Sequence, residues 1–62
     1  MDIFKAEAES FENEMRWIWL NYHDEDSEVC HKKMDELMCA TLSRLGFHEG
    51  VRIFEDTKKW YA

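Results

Sequence analysis

Apolar side chains recur at helical spacing along the first third of the chain. They occupy positions 4, 8, 11, 15, 18 and 22, which are Phe, Ala, Phe, Met, Ile and Tyr. Alternating steps of four and three residues keep all six on one stripe of an α-helix. The pattern predicts a first helix from about Asp2 to Tyr22, with Asp2 as its N-cap.

A polar segment, residues 23–27, interrupts this pattern and predicts a loop. Helical spacing then resumes, which predicts a second helix from about Ser27 to Leu45 with Asp26 or Ser27 as its cap. Its apolar positions are Cys30, Met34, Leu37, Met38, Thr41, Leu42 and Leu45.

Gly46 marks the expected end of the second helix. Glycine adopts the left-handed conformation of the C′ position without a Cβ penalty. Phe47 at C″ would then fold back on Leu42 at C3, the apolar contact of a Schellman ending.

Two patterns overlap in the last stretch, residues 49–61. Val51-Arg52-Ile53 alternates as a strand does, whereas a helical spacing relates Ile53, Phe54, Thr57, Trp60 and Tyr61. No other segment alternates, so a strand here would leave its backbone donors unpaired. We therefore predict a short third helix and, for residues 1–62, a single all-α domain of three helices.

Size limits what this domain does alone. A chain of 62 residues buries only about 60% of its unfolded surface, which excludes an enzyme with a separate substrate domain. Chains this small that lack disulfides and structural metals often oligomerise to bury enough apolar surface. We expect a homodimer that forms through the first helix.

Charge is uneven along the chain. Fourteen acids and eight bases give a net charge of −6, and residues 1–26, with eight acids and two bases, account for all of it. Binding to nucleic acid depends on Lys and Arg neutralising phosphates, so direct binding to DNA or RNA is not expected.

Two tryptophans of the first helix point in different directions. Trp17 and Trp19 lie about 200° apart around the helix, so a partner helix that covers the apolar stripe leaves Trp17 uncovered. The third helix and a second copy of the chain are the two candidate covers. Core packing, a dimer seam and a surface for another protein all remain open, because Trp and Tyr are enriched at binding hot spots.

Residue types that support catalysis or metal binding are present without the necessary spacing. The acidic loop that begins at Asp24 has Val29 and Asp35 where a calcium-binding EF-hand requires Gly and Glu. Cys30 and Cys39 lie about 13 Å apart on opposite sides of one helix, so they do not pair. No zinc-ligand pairs, phosphate-binding loop or nucleophile elbow occurs. We expect neither enzymatic activity nor a metal or cofactor.

Carboxylates on the first helix and its loop form a candidate binding surface. Acids spaced along a rigid helix imitate a nucleic-acid backbone and favour docking into a basic cleft. Glu7, Glu14 and Glu25 lie on one side, and Glu9 and Glu12 flank them. The full set of predicted partner-binding residues adds four aromatic ones: Glu7, Glu9, Glu12, Glu14, Trp17, Trp19, Glu25, Trp60 and Tyr61.

The C-terminal third resembles short proteins of phages and prophages of Gram-positive bacteria. The likeness covers about the last 18 residues and rests on Gly50-Val51-x-Ile53-Phe54 followed by Lys59-Trp60-Tyr61-Ala62. It implies a phage accessory protein that acts in the host cytoplasm, and it assigns no catalytic residue. Small acidic phage proteins of this size look like inhibitors of bacterial defence, such as anti-CRISPR proteins and the short helical dimer that counters the Hachiman system.

These observations predict a cytoplasmic protein that inhibits a host defence component by stoichiometric binding. The expected target is a nucleic-acid-processing protein with a basic cleft. The alternative is a structural or regulatory homodimerisation module, in which self-association covers the aromatic surface and the acids serve solubility. No secretory signal and no apolar run long enough for a bilayer are visible, so we expect no membrane association.

Overall fold

Three α-helices make up the fold. The structure is a computed structural model and describes residues 3–57. The helices are α1 (Lys5–Tyr22), α2 (Ser27–Arg44) and α3 (His48–Asp56), and residues 3–57 contain no strand. The predicted all-α fold is confirmed.

Helix α1 packs through the C-terminal part of its apolar stripe. Ile18 is buried and Phe11, Met15 and Tyr22 are half-buried, whereas Phe4 is exposed. The helix begins at Lys5, so the predicted start near Asp2 is wrong by about three residues, and Asp2 itself lies outside the described residues. Phe4 occupies the N-cap position and makes no side-chain cap bond, although its carbonyl accepts from Ala8 N at 2.8 Å.

Asp26 begins α2. Its carboxylate accepts hydrogen bonds from the backbone N–H of Glu28 at 3.0 Å and of Val29 at 3.2 Å. These two donors have no partner within the helix, so the side chain satisfies them as an N-cap. Of the two predicted caps, the structure selects Asp26.

Gly46 ends α2 in the predicted Schellman motif. It adopts φ of +101°, the left-handed region that glycine enters without a Cβ clash. Phe47 N donates to Leu42 O at 2.9 Å and Gly46 N donates to Ser43 O at 3.0 Å, which are the two bonds that define the motif. The reversal directs the chain back along α2 and starts α3.

Helix α3 resolves the ambiguity of the last stretch. Residues 48–56 are helical, so the alternation of Val51-Arg52-Ile53 does not produce a strand. Val51 is buried against α2, while Ile53 is exposed. The predicted continuation through Trp60 and Tyr61 lies outside the described residues.

The three helices lie side by side in one layer. Helix α2 is central, since it contacts α1 on one side and α3 on the other, and α1 and α3 do not contact each other within residues 3–57. The Cα trace measures 39 × 28 × 11 Å. Two stacked helices with axes 8–10 Å apart already span about 13 Å between their outer Cα atoms, so an 11 Å thickness accommodates a single layer.

Few side chains of the described residues are buried in the layer, and none of these is aromatic. The buried residues in the described range are Ile18, Cys30, Cys39 and Val51. Both cysteines are buried thiols, and Cys39 borders the groove between α2 and α3. Both cysteines lie on the one helix α2 and form no disulfide with each other, as predicted.

Candidate interaction surfaces

The predicted acidic residues do not act as one set. Glu7 is half-buried and pairs with Arg44 of α2 at 3.3 Å, so it joins α1 to α2. Glu12 pairs with Arg16 one turn along α1 at 2.6 Å. Within residues 3–57 no cation lies in ion-pair distance of Glu9, Glu14 or Glu25, which are all exposed. Of the five predicted acidic residues, these three carry negative charge that no ion pair of the described residues neutralises.

The acidic loop has a structural role in addition to its charge. Asp26 caps α2, and Asp24 Oδ1 lies 3.1 Å from His23 Nε2. His23 Nδ1 donates to the carbonyl of Trp19, which ties the ring to the end of α1. Within the described part of the chain no group of three His, Cys, Asp or Glu side chains is arranged to hold a metal ion.

Trp17 lies on the outer surface of α1. It is 58% exposed, and its neighbour on the same side, Leu20, is 61% exposed. Within residues 3–57 α3 packs on α2 and does not contact α1, so the described part of the third helix, including Phe54, does not cover Trp17. The other candidate contact from this helix, through Trp60, lies outside the described residues. A second copy and another protein remain candidate covers as well.

Trp17 contacts the ring of Tyr22. Its ring meets the edge of Tyr22 at a centroid distance of 6.1 Å and an interplanar angle of 65°. Lys33 of α2 places its Nζ 4.9 Å from the centroid of the Tyr22 ring, a cation–π geometry. A side chain ordered before binding loses less conformational entropy on association, so this arrangement suits Trp17 as a binding anchor.

Trp19 has a different environment. Its ring stacks on His23 with centroids 3.8 Å apart and planes inclined by 4°. It also borders a recess that includes Phe11, Met15 and Met34, on the α1/α2 boundary. Trp60 and Tyr61, the remaining aromatic residues of the predicted surface, lie outside the described residues.

Two apolar grooves open on one side of the layer. Phe4, Phe11 and Leu45 contribute to the α1/α2 groove, and Phe47, Val51 and Phe54 contribute to the α2/α3 groove. Met38 and Leu42 of α2 line both grooves. A side chain that borders both neighbours of a central helix points out of the layer, so the grooves share one side.

We call this surface the apolar side and define it by six residues that are 38 to 61% exposed: Phe4, Met38, Leu42, Leu45, Phe47 and Phe54. From the sequence, these residues were expected to pack between helices and not to form a surface. One signal was available. At about 100° per residue, the apolar positions predicted for α2 span an arc of about 140°, and Cys39 extends it to about 200°, more than one neighbouring helix covers.

Comparison with known proteins adds no assignment. No known family, curated protein or solved structure matches this chain. Within the described residues no helix is long and apolar enough to cross a membrane.

Proposed function

We propose that this chain is a small binding protein that inhibits a bacterial host protein by stoichiometric association. The target is a nucleic-acid-processing defence component whose basic cleft receives the outer surface of α1. The proposal depends chiefly on one observation: the exposed Trp17 lies on the same helix as Glu9 and Glu14, which have no cationic partner among residues 3–57.

An inhibitor of this kind needs long-range attraction and a short-range anchor. Glu9, Glu14 and Glu25 supply the negative field that increases the association rate with a basic cleft. Trp17 and Leu20 supply apolar area that is desolvated on contact, and the Tyr22 ring orders the indole beforehand. Glu9, Glu14, Trp17 and Leu20 all lie on α1, which keeps their relative positions fixed, and Glu25 lies in the loop that follows this helix.

The test compares retention of host proteins by immobilised chain and by matched variants, in nuclease-treated lysate of a bacterium that carries defence systems. We expect one stoichiometric host protein, released by salt and by added double-stranded DNA, because both act on a charge-driven contact. Trp17→Ala and the pair Glu9→Lys with Glu14→Lys should each abolish retention.

Matched controls separate surface chemistry from net charge and stability. Glu55→Lys with Asp56→Lys changes the net charge by the same amount on α3, and Ile53→Ala removes an exposed apolar side chain from α3. Both controls should retain the target. If α1 and α3 variants behave alike, or if DNA does not compete, the inhibitor proposal is wrong. Retention of no host protein by a chain that is dimeric in solution would favour the homodimerisation module.

A further inference from the structure

We propose that a second copy of this chain covers the apolar side, so that two three-helix layers stack into a six-helix homodimer. The contact involves all three helices and leaves the outer surface of α1 exposed. It requires no target protein, so it stands or fails separately from the inhibitor proposal.

Surface area supports a partner of this size. Each partner contributes roughly 800 Å² to a standard protein–protein interface. With about 200 Å² for a large apolar residue, the six residues of the apolar side account for about 550 Å² of exposed area.

The small core supports a partner that is always present. Among the described residues no large side chain is fully buried. Domains of this size gain stability from disulfides, structural metals or oligomerisation, and the two buried thiols and the absence of a metal cluster within residues 3–57 favour the third. A cover that the fold itself needs must be available whenever the chain folds, and a second copy meets this condition.

Charge favours this side for self-association. Two chains of net charge −6 repel each other, so they associate where few charges meet. Of the residues that line the two grooves, only Glu7 and Asp35 are charged, and Glu7 is already paired with Arg44. A contact through the outer surface of α1 would instead oppose Glu9 and Glu14 to carboxylates of the other copy.

Geometry places α2 at the centre of the dimer. Most homodimers have two-fold symmetry, in which one patch meets itself. Met38 and Leu42 occupy the middle of the apolar side and are one helical turn apart, so they form a ridge that packs against the same ridge of the second copy. Two stacked layers give the two-layer architecture of ordinary domains. Residue 42 therefore lies close to residue 42 of the second copy.

The first experiment measures the mass of the wild-type chain by sedimentation equilibrium over about 10 to 200 µM, the range in which mass action reveals a weak dimer. We expect twice 7.6 kDa across this range. A folded chain, judged by far-UV circular dichroism, that stays at 7.6 kDa would overturn the proposal.

The second experiment tests the geometry by charge complementation. Leu42→Lys and Leu42→Glu should each weaken self-association by at least about 100-fold, because each places two like charges in an apolar contact. Mixing the two variants should restore the dimer, since opposite charges then meet. Leu20→Lys, on the outer surface of α1, should remain dimeric. The proposed contact would be contradicted if Leu42→Lys is helical and still dimeric on its own. It would also be contradicted if the mixture of the two variants stays monomeric.

Discussion

Gly46→Ala and Gly50→Ala are the same substitution at two positions four residues apart, and the structure predicts opposite effects on stability. Gly46 adopts φ of +101° at the end of α2, whereas Gly50 lies within α3 without a positive φ. A Cβ atom at either position meets no heavy atom within 4 Å, so steric contact contributes to neither result. Backbone conformation alone therefore determines whether each substitution raises or lowers the free energy of unfolding.

The magnitudes follow from that difference. Alanine at Gly46 has to adopt a left-handed conformation, which costs an L-residue about 1–2 kcal/mol. Alanine at Gly50 replaces glycine inside a helix, which stabilises the helix by about 0.5–1 kcal/mol. The free energies of unfolding of the two variants should therefore differ by roughly 2 kcal/mol. For a domain of this size, 1 kcal/mol corresponds to a change in Tm of about 4–8 °C.

Urea denaturation followed by circular dichroism at 222 nm measures both variants. All samples need the same protein concentration, because self-association makes the apparent stability depend on it. If both variants change stability in the same direction, or if Gly46→Ala is as stable as the wild type, the Schellman ending is not the conformation that α2 adopts. Gly46→Ala should also loosen the packing of α3 on α2, because the turn at Gly46 positions α3.

Two further predictions concern α2. Asp26→Ala should lower the free energy of unfolding by about 1 kcal/mol because two backbone N–H groups lose their acceptor. In the same urea titration Asp26→Asn should retain most of the wild-type stability, since asparagine also caps helices. Equal losses in both variants would contradict a capping role. Thr41 Oγ1 is buried and has no hydrogen-bond partner in the described structure, so Thr41→Val should raise the midpoint of thermal unfolding by relieving up to about 1 kcal/mol of desolvation. A lower midpoint for Thr41→Val would show that the hydroxyl has a partner in solution.

Local features account for the parts of the fold that the sequence predicted well. Asp26 and Gly46 each determine backbone geometry through their own chemistry, so the start and end of α2 follow from single residues. The start of α1 was predicted less accurately, because Phe4 at its N-cap offers no side-chain acceptor and no signal marks that boundary. Near Val51 the sequence fits both a strand and a helix, and the lack of a partner strand correctly favoured the helix.

The candidate surface was predicted only in part. Spacing places Trp17 away from the apolar stripe but left core packing open, and the structure shows the side chain 58% exposed. The pairing of Glu7 with Arg44 involves residues 37 positions apart, and no local pattern encodes it. The proposed inhibitor and the proposed dimer stay predictions that the binding and sedimentation experiments test.

The sequence by itself determined the number and type of helices, because helical periodicity, one N-cap and one C-terminal glycine act over a few neighbouring residues. It also determined the concentration of negative charge in residues 1–26. Only the tertiary structure decided that α2 lies between α1 and α3 in a single layer, and hence that Met38 and Leu42 are exposed. Periodicity gives the direction of a side chain relative to its own helix, whereas its burial depends on where the other helices lie.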